Sequence, residues 1–396
     1  MQRLTWRKFD LWLVLVSLAL VVFGLVVLRS ATMLSGYAVY RQLLIQGLFA
    51  LAGLLLLMTI TCLDYRVVGA FAPVLYVGTL GLLVLVLFVG TSAFGAKRWI
   101  DIGPITFQPS ELAKVTTVIC LARYWASREG KEGTFRPLLI SLAIVAVPVA
   151  LVYRQPDLGT SLVLLAIWLG TAFAAGAPLK WLGAILAVPL VGFPLIWRMM
   201  HDYMRRRLTT FLAPEQDPLG EGYNLIQAKI SVGSGGWWGR GLGNGTQTQL
   251  NFLRVQHSDF IFAVLGEELG FMGAIVLLCL FWLLLWRCLR VVTLSRDAFG
   301  RLLAYGVTSM LLFQAFVNMG MNIGLLPVTG IPLPFISAGG SSLLSIFASL
   351  GLLQSVLVHS QSRRYDARPH VRVPATMRLR RARFPEVPAA PVGAAR

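Results

Sequence analysis

Carboxylates are scarce in this chain. Asp and Glu number 17 against 35 Lys and Arg in 396 residues, and charged residues of all kinds make up 13%. A soluble domain carries roughly twice that share, so a water-soluble globule is excluded. Cysteine is nearly absent as well. Cys62, Cys120, Cys279 and Cys288 show no metal-ligand spacing and imply no disulfide framework. A nucleotide loop is missing too: the glycine-rich run from Gly233 to Leu250 has no Lys followed by Ser or Thr and follows no strand. The first apolar run lacks a small-x-small cleavage site, so it is expected to stay as an anchor.

What fills the chain is hydrophobic sequence, 57% of all residues. Apolar runs long enough to cross roughly 30 Å of hydrocarbon as helices recur along it. Ten are read, at about 11–28, 42–63, 67–90, 108–126, 136–153, 160–176, 178–196, 258–285, 301–324 and 336–358. The expected fold is therefore an all-α integral membrane protein of about ten transmembrane helices. The net charge of +18 is distributed unevenly. Arg3, Arg7, Lys8, Arg123, Arg128, Lys131, Arg136, Arg287, Arg290 and nine arginines of the tail fall on one side of that topology. Arg29, Arg41, Lys97, Arg98 and Arg154 are those of the short loops opposite. This bias puts both termini in the cytoplasm. The basic surplus orients the chain and meets anionic lipid heads, so membrane lipid rather than nucleic acid is the expected partner.

Two segments depart from the run of spans. A large external loop between the seventh and eighth helices, about 197–257, is too long for a plain connection. Its apolar spacing over Leu225 to Val232 and its Trp237-Trp238 pair suggest short amphipathic helices on the membrane surface. The domain is read as 1–360, and 361–396 as a basic, proline-rich, disordered cytoplasmic tail.

Within this frame a few polar residues can carry chemistry. Asp259 opens the eighth span, and no acid lies between Tyr223 and Ser258, whereas Lys229, Arg240, Arg254 and His257 are basic or can become so. Asp259 is either a first-turn acid favouring the helix dipole by under about 1 kcal/mol or a partly desolvated general base. The acid-free cationic run favours the second. Glu111 and Lys114 lie three apart on one helical face. They form either a structural ion pair or the wall of a polar cavity. Glu267 and Glu268 are assigned a supporting role, with one of them paired to Lys114 or to backbone. Arg154, Gln155, Pro156 and Asp157 read as an external turn, with Asp157 either capping a helix or facing a site. Lys97, Arg98, Trp99 and Asp101 read as a second charged turn, in which an Arg can grip a phosphate. The glycines of 233–250 are expected to permit tight turns and close backbone approach to a ligand. The proline- and glycine-rich stretch from Asn322 to Ser342 reads as a re-entrant or tightly folded hairpin beside the site.

Taken together, AKRWIDIGPITFQPSELAK (Ala96 to Lys114), QPDLGTS (Gln155 to Ser161), the run from Gly233 to Gly270 and GLLPVTGIPLPFISAGGSS resemble the shape, elongation, division and sporulation family of peptidoglycan polymerases. VTGIPLPF is similar to the elongation branch rather than the division branch. The resemblance implies a glycosyltransferase that polymerises lipid II at the outer face of the cytoplasmic membrane. A class B penicillin-binding protein (a PBP2-type transpeptidase) would be its partner. It places the family's essential loop aspartate on Asp259, its membrane Glu–Lys pair on Glu111 and Lys114, and its other external aspartate on Asp157. Relatives carry Pro-Glu where this chain has Arg254-Val255, and Tyr where it has Ala338, so roles for those side chains do not carry over. The expected site is catalytic Asp259 with Glu111, Lys114, Asp157, Lys97, Arg98, Lys229, Arg240 and His257 around the substrate. No cofactor is evident and no metal ligands are assigned. A divalent cation, Mg²⁺ or Mn²⁺, is compatible with the transfer. A lipid II flippase, the division member of the family and a non-catalytic scaffold remain as alternatives.

Overall fold

A computed structural model describes residues 6–32, 37–93, 96–103, 105–130, 134–200, 202–216, 220–250, 252–253 and 258–359. Arg254, His257 and the expected tail at 361–396 lie outside the described residues.

The helices are α1 (Leu11–Ala31), α2 (Tyr37–Cys62), α3 (Tyr65–Ala70), α4 (Ala72–Val89), α5 (Pro109–Ala126), α6 (Phe135–Arg154), α7 (Leu158–Ala174) and α8 (Leu179–Val191). They continue with α9 (Phe193–Met199), α10 (Asp202–Leu212), α11 (Glu221–Ser234), α12 (Thr246–Gln249), α13 (Ile261–Leu294), α14 (Ala298–Asn322) and α15 (Gly340–His359). Seven of them, α1, α2, α4, α6, α13, α14 and α15, are long and apolar enough to cross a membrane, and α7 and α8 are shorter apolar helices. The expected span at 178–196 is two helices that meet at Gly192, just ahead of Pro194 in the first turn of α9. Pro194 lacks the donor that would continue the ladder to Leu190 and crowds the turn before it, so the break falls just ahead of it.

The segment read as a charged turn is sheet. β1 (Thr91–Ala93), β2 (Ala96–Ile102) and β3 (Ile105–Phe107) pair antiparallel in the order β1-β2-β3. Ile100, Ile102, Ile105 and Thr106 are β-branched and suit strands, and Gly103 takes the positive φ of 64° that the turn requires. A search for runs of about 18 apolar residues passes over strands this short.

α14 and α15 are buried along most of their length, while α2 and α4 are largely exposed on the outside of the bundle. α1 is anchored at both ends, directly to α13 at one and to the glycine-rich loop at the other. At one end the Asp10 carboxylate caps α1 through Leu13 N (3.1 Å) and accepts from Arg287 Nε (2.9 Å) and Nη2 (2.5 Å) of α13. Gln354 of α15 exchanges two hydrogen bonds with the Asp10 backbone. At the other end Ser30 Oγ accepts from Gly243 N (2.7 Å), and the Ser30 carbonyl accepts from Gln249 Nε2 (3.1 Å).

α13 breaks at Gly270 (φ 65°, ψ −160°). The backbone of the glycine-rich segment fills that break. Phe271 N donates to Gly236 O and Met272 N to Trp237 O, while Arg240 N and Gly241 N donate to the carbonyls of Glu267 and Glu268. A Cβ on Gly239, itself at φ 77°, would sit 2.1 Å from Glu268 O. The glycines thus permit tight turns, as expected, and close approach to a helix. From Ile323 to Gly339 the chain is irregular, and Ile331, Leu333, Phe335 and Ile336 are buried in it. Its polar backbone is held by Asn318 Nδ2 to Ile331 O (2.8 Å) and by Gln46, which bonds both Ser337 O and Gly339 N. Non-helical backbone at this depth is stable only when satisfied in this way.

Candidate active site

A cavity of about 430 Å³ opens where the ends of α5, α7, α13 and α15 meet the irregular 323–339 segment. Asp259, Glu111, Asp157 and Arg98 line it together, although they are up to 161 positions apart in sequence (98 to 259). Gln108, Thr160, Ser258, Ser341, Arg207 and Asn224 add polar groups to the same walls.

Asp259 sits in a turn just before α13, and three neighbours fix that turn. The Asp259 carbonyl accepts from Asn318 Nδ2 (3.2 Å) and Asn322 Nδ2 (3.0 Å), both on α14. Ser337 Oγ donates to Ser258 O (2.7 Å). The side chain is oriented by Ser258 Oγ, which donates to Asp259 Oδ1 (2.9 Å). Across the turn, Gly330 (φ 75°) leaves Asp259 Oδ2 in ordinary contact distance of the position a Cβ would take, 3.6 Å. The backbone is clamped and the carboxylate is left facing the cavity, which suits a group that must meet a ligand with little reorganisation.

Glu111 and Lys114 pair at the head of α5, with Lys114 Nζ at 2.8 Å from Oε1 and 2.7 Å from Oε2. Both are buried, and Ser345 Oγ of α15 donates to Glu111 Oε2 (2.9 Å). Glu111 reaches the cavity wall; Lys114 is not among its lining residues. Asp157 caps α7 through Thr160 N (3.1 Å) and also accepts from Thr160 Oγ1 (2.9 Å) and Gln108 Nε2 (3.3 Å). Arg98 reaches from β2 to the same turn. It donates from Nε to Gln155 O (3.1 Å) and from Nη2 to Pro156 O, and its Nη1 lies 3.9 Å from Asp157 Oδ1. From one position Asp157 caps α7 and lines the cavity.

Three expected substrate residues are elsewhere. Lys97 is exposed on β2 and off the cavity wall. Lys229 is exposed on α11, its stem lying over Gly324. Arg240 donates to Thr246 Oγ1 (2.9 Å) and Ser234 O (3.4 Å), so it braces its own loop. Proximity in sequence to Asp259 does not become proximity in space, because the loop turns away onto the α13 break. Arg207 and Asn224 take their places in the wall. Arg207 was legible in principle: Met204, Leu208 and Phe211 recur at the spacing of one helical face, and Arg207 falls on that inward face.

Glu267 and Glu268 support the loop and make no contact with Lys114. Glu267 accepts from Gln247 N (2.8 Å), Thr248 N (3.1 Å) and Thr248 Oγ1 (2.8 Å), and Glu268 from Gly243 N (3.3 Å) and Gln249 Nε2 (3.4 Å). Glu267→Gln places an amide donor against backbone N–H groups, and a charged hydrogen-bond set of this kind contributes roughly 1.5–3 kcal/mol. The expected result is a lower unfolding midpoint in detergent and faster proteolysis within 236–250, with the cavity residues unchanged. Among the described residues no group of three or more His, Cys, Asp or Glu comes together as a metal site.

Fold and cavity define a multi-pass membrane protein with a polar pocket at one end of its helix bundle. The chain belongs to the family of cell cycle proteins FtsW, RodA and SpoVE, which matches residues 10–362. It is 40% identical over 357 residues to the peptidoglycan glycosyltransferase MrdB of Escherichia coli, covering 89% of this chain and 95% of that protein. It is 39% identical over 357 residues to the probable peptidoglycan glycosyltransferase FtsW of a Geobacter species, covering 88% and 96%. Among solved structures it is similar to the rod-shape-determining protein RodA of Thermus thermophilus (TM-score 0.66, 31% identity, 89% of this chain and 98% of that one). It is also similar to a chain from a peptidoglycan synthase complex solved for its coordination of polymerization and crosslinking (TM-score 0.77, 34% identity, 89% and 99%).

Proposed function

We propose that the protein is a peptidoglycan glycosyltransferase that polymerises lipid II at the outer face of the cytoplasmic membrane during cell elongation. The observation that carries this is the meeting of Asp259, Glu111, Asp157, Arg98 and Arg207 around one cavity. The 40% identity to a peptidoglycan glycosyltransferase supports the substrate class.

In the proposed reaction Asp259 takes the proton of the acceptor GlcNAc 4-hydroxyl. The oxygen attacks the anomeric carbon of the lipid-linked donor chain from the face opposite the leaving group, and the carbon–oxygen bond to pyrophosphate breaks. Undecaprenyl pyrophosphate leaves with the bonding electrons and the product is inverted. One carboxylate suffices, in contrast to the acid and base pair of inverting glycosidases, because pyrophosphate needs no proton to depart. Arg98 and Arg207 are the lining cations that offset its charge, in place of Lys229 and Arg240. Arg207→Gln is expected to raise KM for lipid II by roughly tenfold or more, the loss of a charged hydrogen bond to phosphate. An unchanged KM removes Arg207 from the substrate.

A class B penicillin-binding protein is the proposed partner, supported by the likeness to a chain of a synthase complex. The test is direct: the purified protein with that partner is given lipid II in liposomes, and glycan chains are resolved by size. Chains longer than the input disaccharide support the reading, and their absence with transport of lipid II across the bilayer favours a flippase. The same assay with a chelator tests the need for Mg²⁺ or Mn²⁺.

A further inference from the structure

On the outer side of α1 and α2 runs a second cavity, a groove of about 520 Å³. Its walls are apolar, with Val22 and Val26 on α1 and Leu44 and Leu48 on α2, and it ends in Arg29 and Tyr40. From Arg29 to Val22 is seven residues, so the groove reaches about 10 Å along the helix below its polar rim. It is an open slot with a cation at the end where the cavity lies.

Three observations together give this slot an occupant. The first is charge. From Leu11 to Leu63 the sequence has no Asp or Glu, and Arg29 is exposed at the rim. Among the described residues no hydrogen bond or ion pair is recorded for the Arg29 guanidinium. The second is space. Gly47 lies in the groove inside α2, and a Cβ there would meet nothing within 4 Å. The third is continuity with the active site. The inner face of the same helix pair holds the segment that lines the cavity: a Cβ on Gly24 would abut Phe335 O, and Gln46 bonds Ser337 O and Gly339 N. One residue beyond Arg29, Ser30 binds the glycine-rich loop at Gly243.

We propose that this groove holds the head-proximal isoprene units of the acceptor lipid II, with Arg29 on its pyrophosphate, while Arg98 and Arg207 meet the pyrophosphate of the donor. The inference rests on lipid II being the substrate. The chain lies in the α1/α2 slot, held by van der Waals packing against its apolar walls, and the anionic head sits at the rim. A guanidinium offers phosphate paired, charge-assisted hydrogen bonds at that position. The wall between groove and cavity then sets where the sugar enters.

The experiment places a photoreactive benzophenone side chain at Leu44 of the full-length protein, in vesicles of phosphatidylglycerol and phosphatidylethanolamine carrying a small fraction of lipid II. The expected result is cross-linking of lipid II well above its molar fraction, reduced about tenfold by Arg29→Gln and by Gly47→Leu. Gly47→Leu fills open space in a helix interior, where replacing glycine favours the helix, so a folded variant is expected. Cross-linking that merely follows lipid composition, or capture unaffected by both substitutions, overturns the proposal. The readout needs no turnover, so it fails or succeeds separately from the polymerisation assay.

Discussion

Asp259→Asn lowers the rate of glycan-chain formation by about 10²- to 10⁴-fold, the range expected when a positioned base is removed. The substitution is well suited to the question. Asn keeps the volume and still accepts from Ser258 Oγ, whereas the groups that fix the turn, Asn318 and Asn322, bind the Asp259 backbone carbonyl rather than its side chain. The fold is therefore expected to persist, with unfolding midpoints in detergent within error of the parent. KM for lipid II is expected to change little and kcat to collapse, because the lost interaction belongs to proton transfer rather than to binding. Wild-type-like polymerisation by a folded Asp259→Asn protein would remove Asp259 from the base role and leave the cavity without its reactive group.

The second large effect concerns Lys114. Lys114→Met leaves the Glu111 carboxylate buried with only Ser345 to satisfy it, and losing one partner of such a pair costs about 3–5 kcal/mol. The unfolding midpoint should fall steeply. The double variant Glu111→Gln, Lys114→Met carries no buried charge at this position, so most of the stability should return. Polymerisation should not return with it, because Glu111 faces the cavity while Lys114 stands behind. Recovery of both stability and activity in the double variant would make the pair purely architectural.

The helices were largely readable because an apolar run of membrane length has one solution in hydrocarbon. What escaped was decided by backbone rather than by hydropathy. β2 escaped because a seven-residue strand that carries Lys97, Arg98 and Asp101 looks like a polar turn when the search is for spans. The failure at Lys229 and Arg240 is more instructive. Both lie close to Asp259 in sequence, and the acid-free run between them suggested a shared electrostatic field. The break at Gly270 accepts the loop backbone, and Glu267 and Glu268 hold it there, so Arg240 is carried away from the cavity, while Lys229 lies on α11 over Gly324 and leaves the wall to Asn224. Gly270 interrupts an otherwise apolar helix, and that irregularity was the available signal. Asp259, Glu111, Asp157 and Arg98 converge because each lies at a helix end or on the hairpin beside one. Their shared location follows from topology alone. Arg207 needed a three-dimensional reading of an 11-residue helix whose triple arginine masks its one inward member.

The two anchors of α1 have a mechanical consequence. A strut pinned only at one end can slide or pivot; pinned at both, by Asp10–Arg287 and by Ser30–Gly243, it can do neither without rupturing bonds at one joint. Displacement by a single residue rise, about 1.5 Å, would break both joints together. α1 therefore splints α13 across its break at Gly270, gripping the far half at Arg287 and the near half through Gly243, which Glu268 also binds.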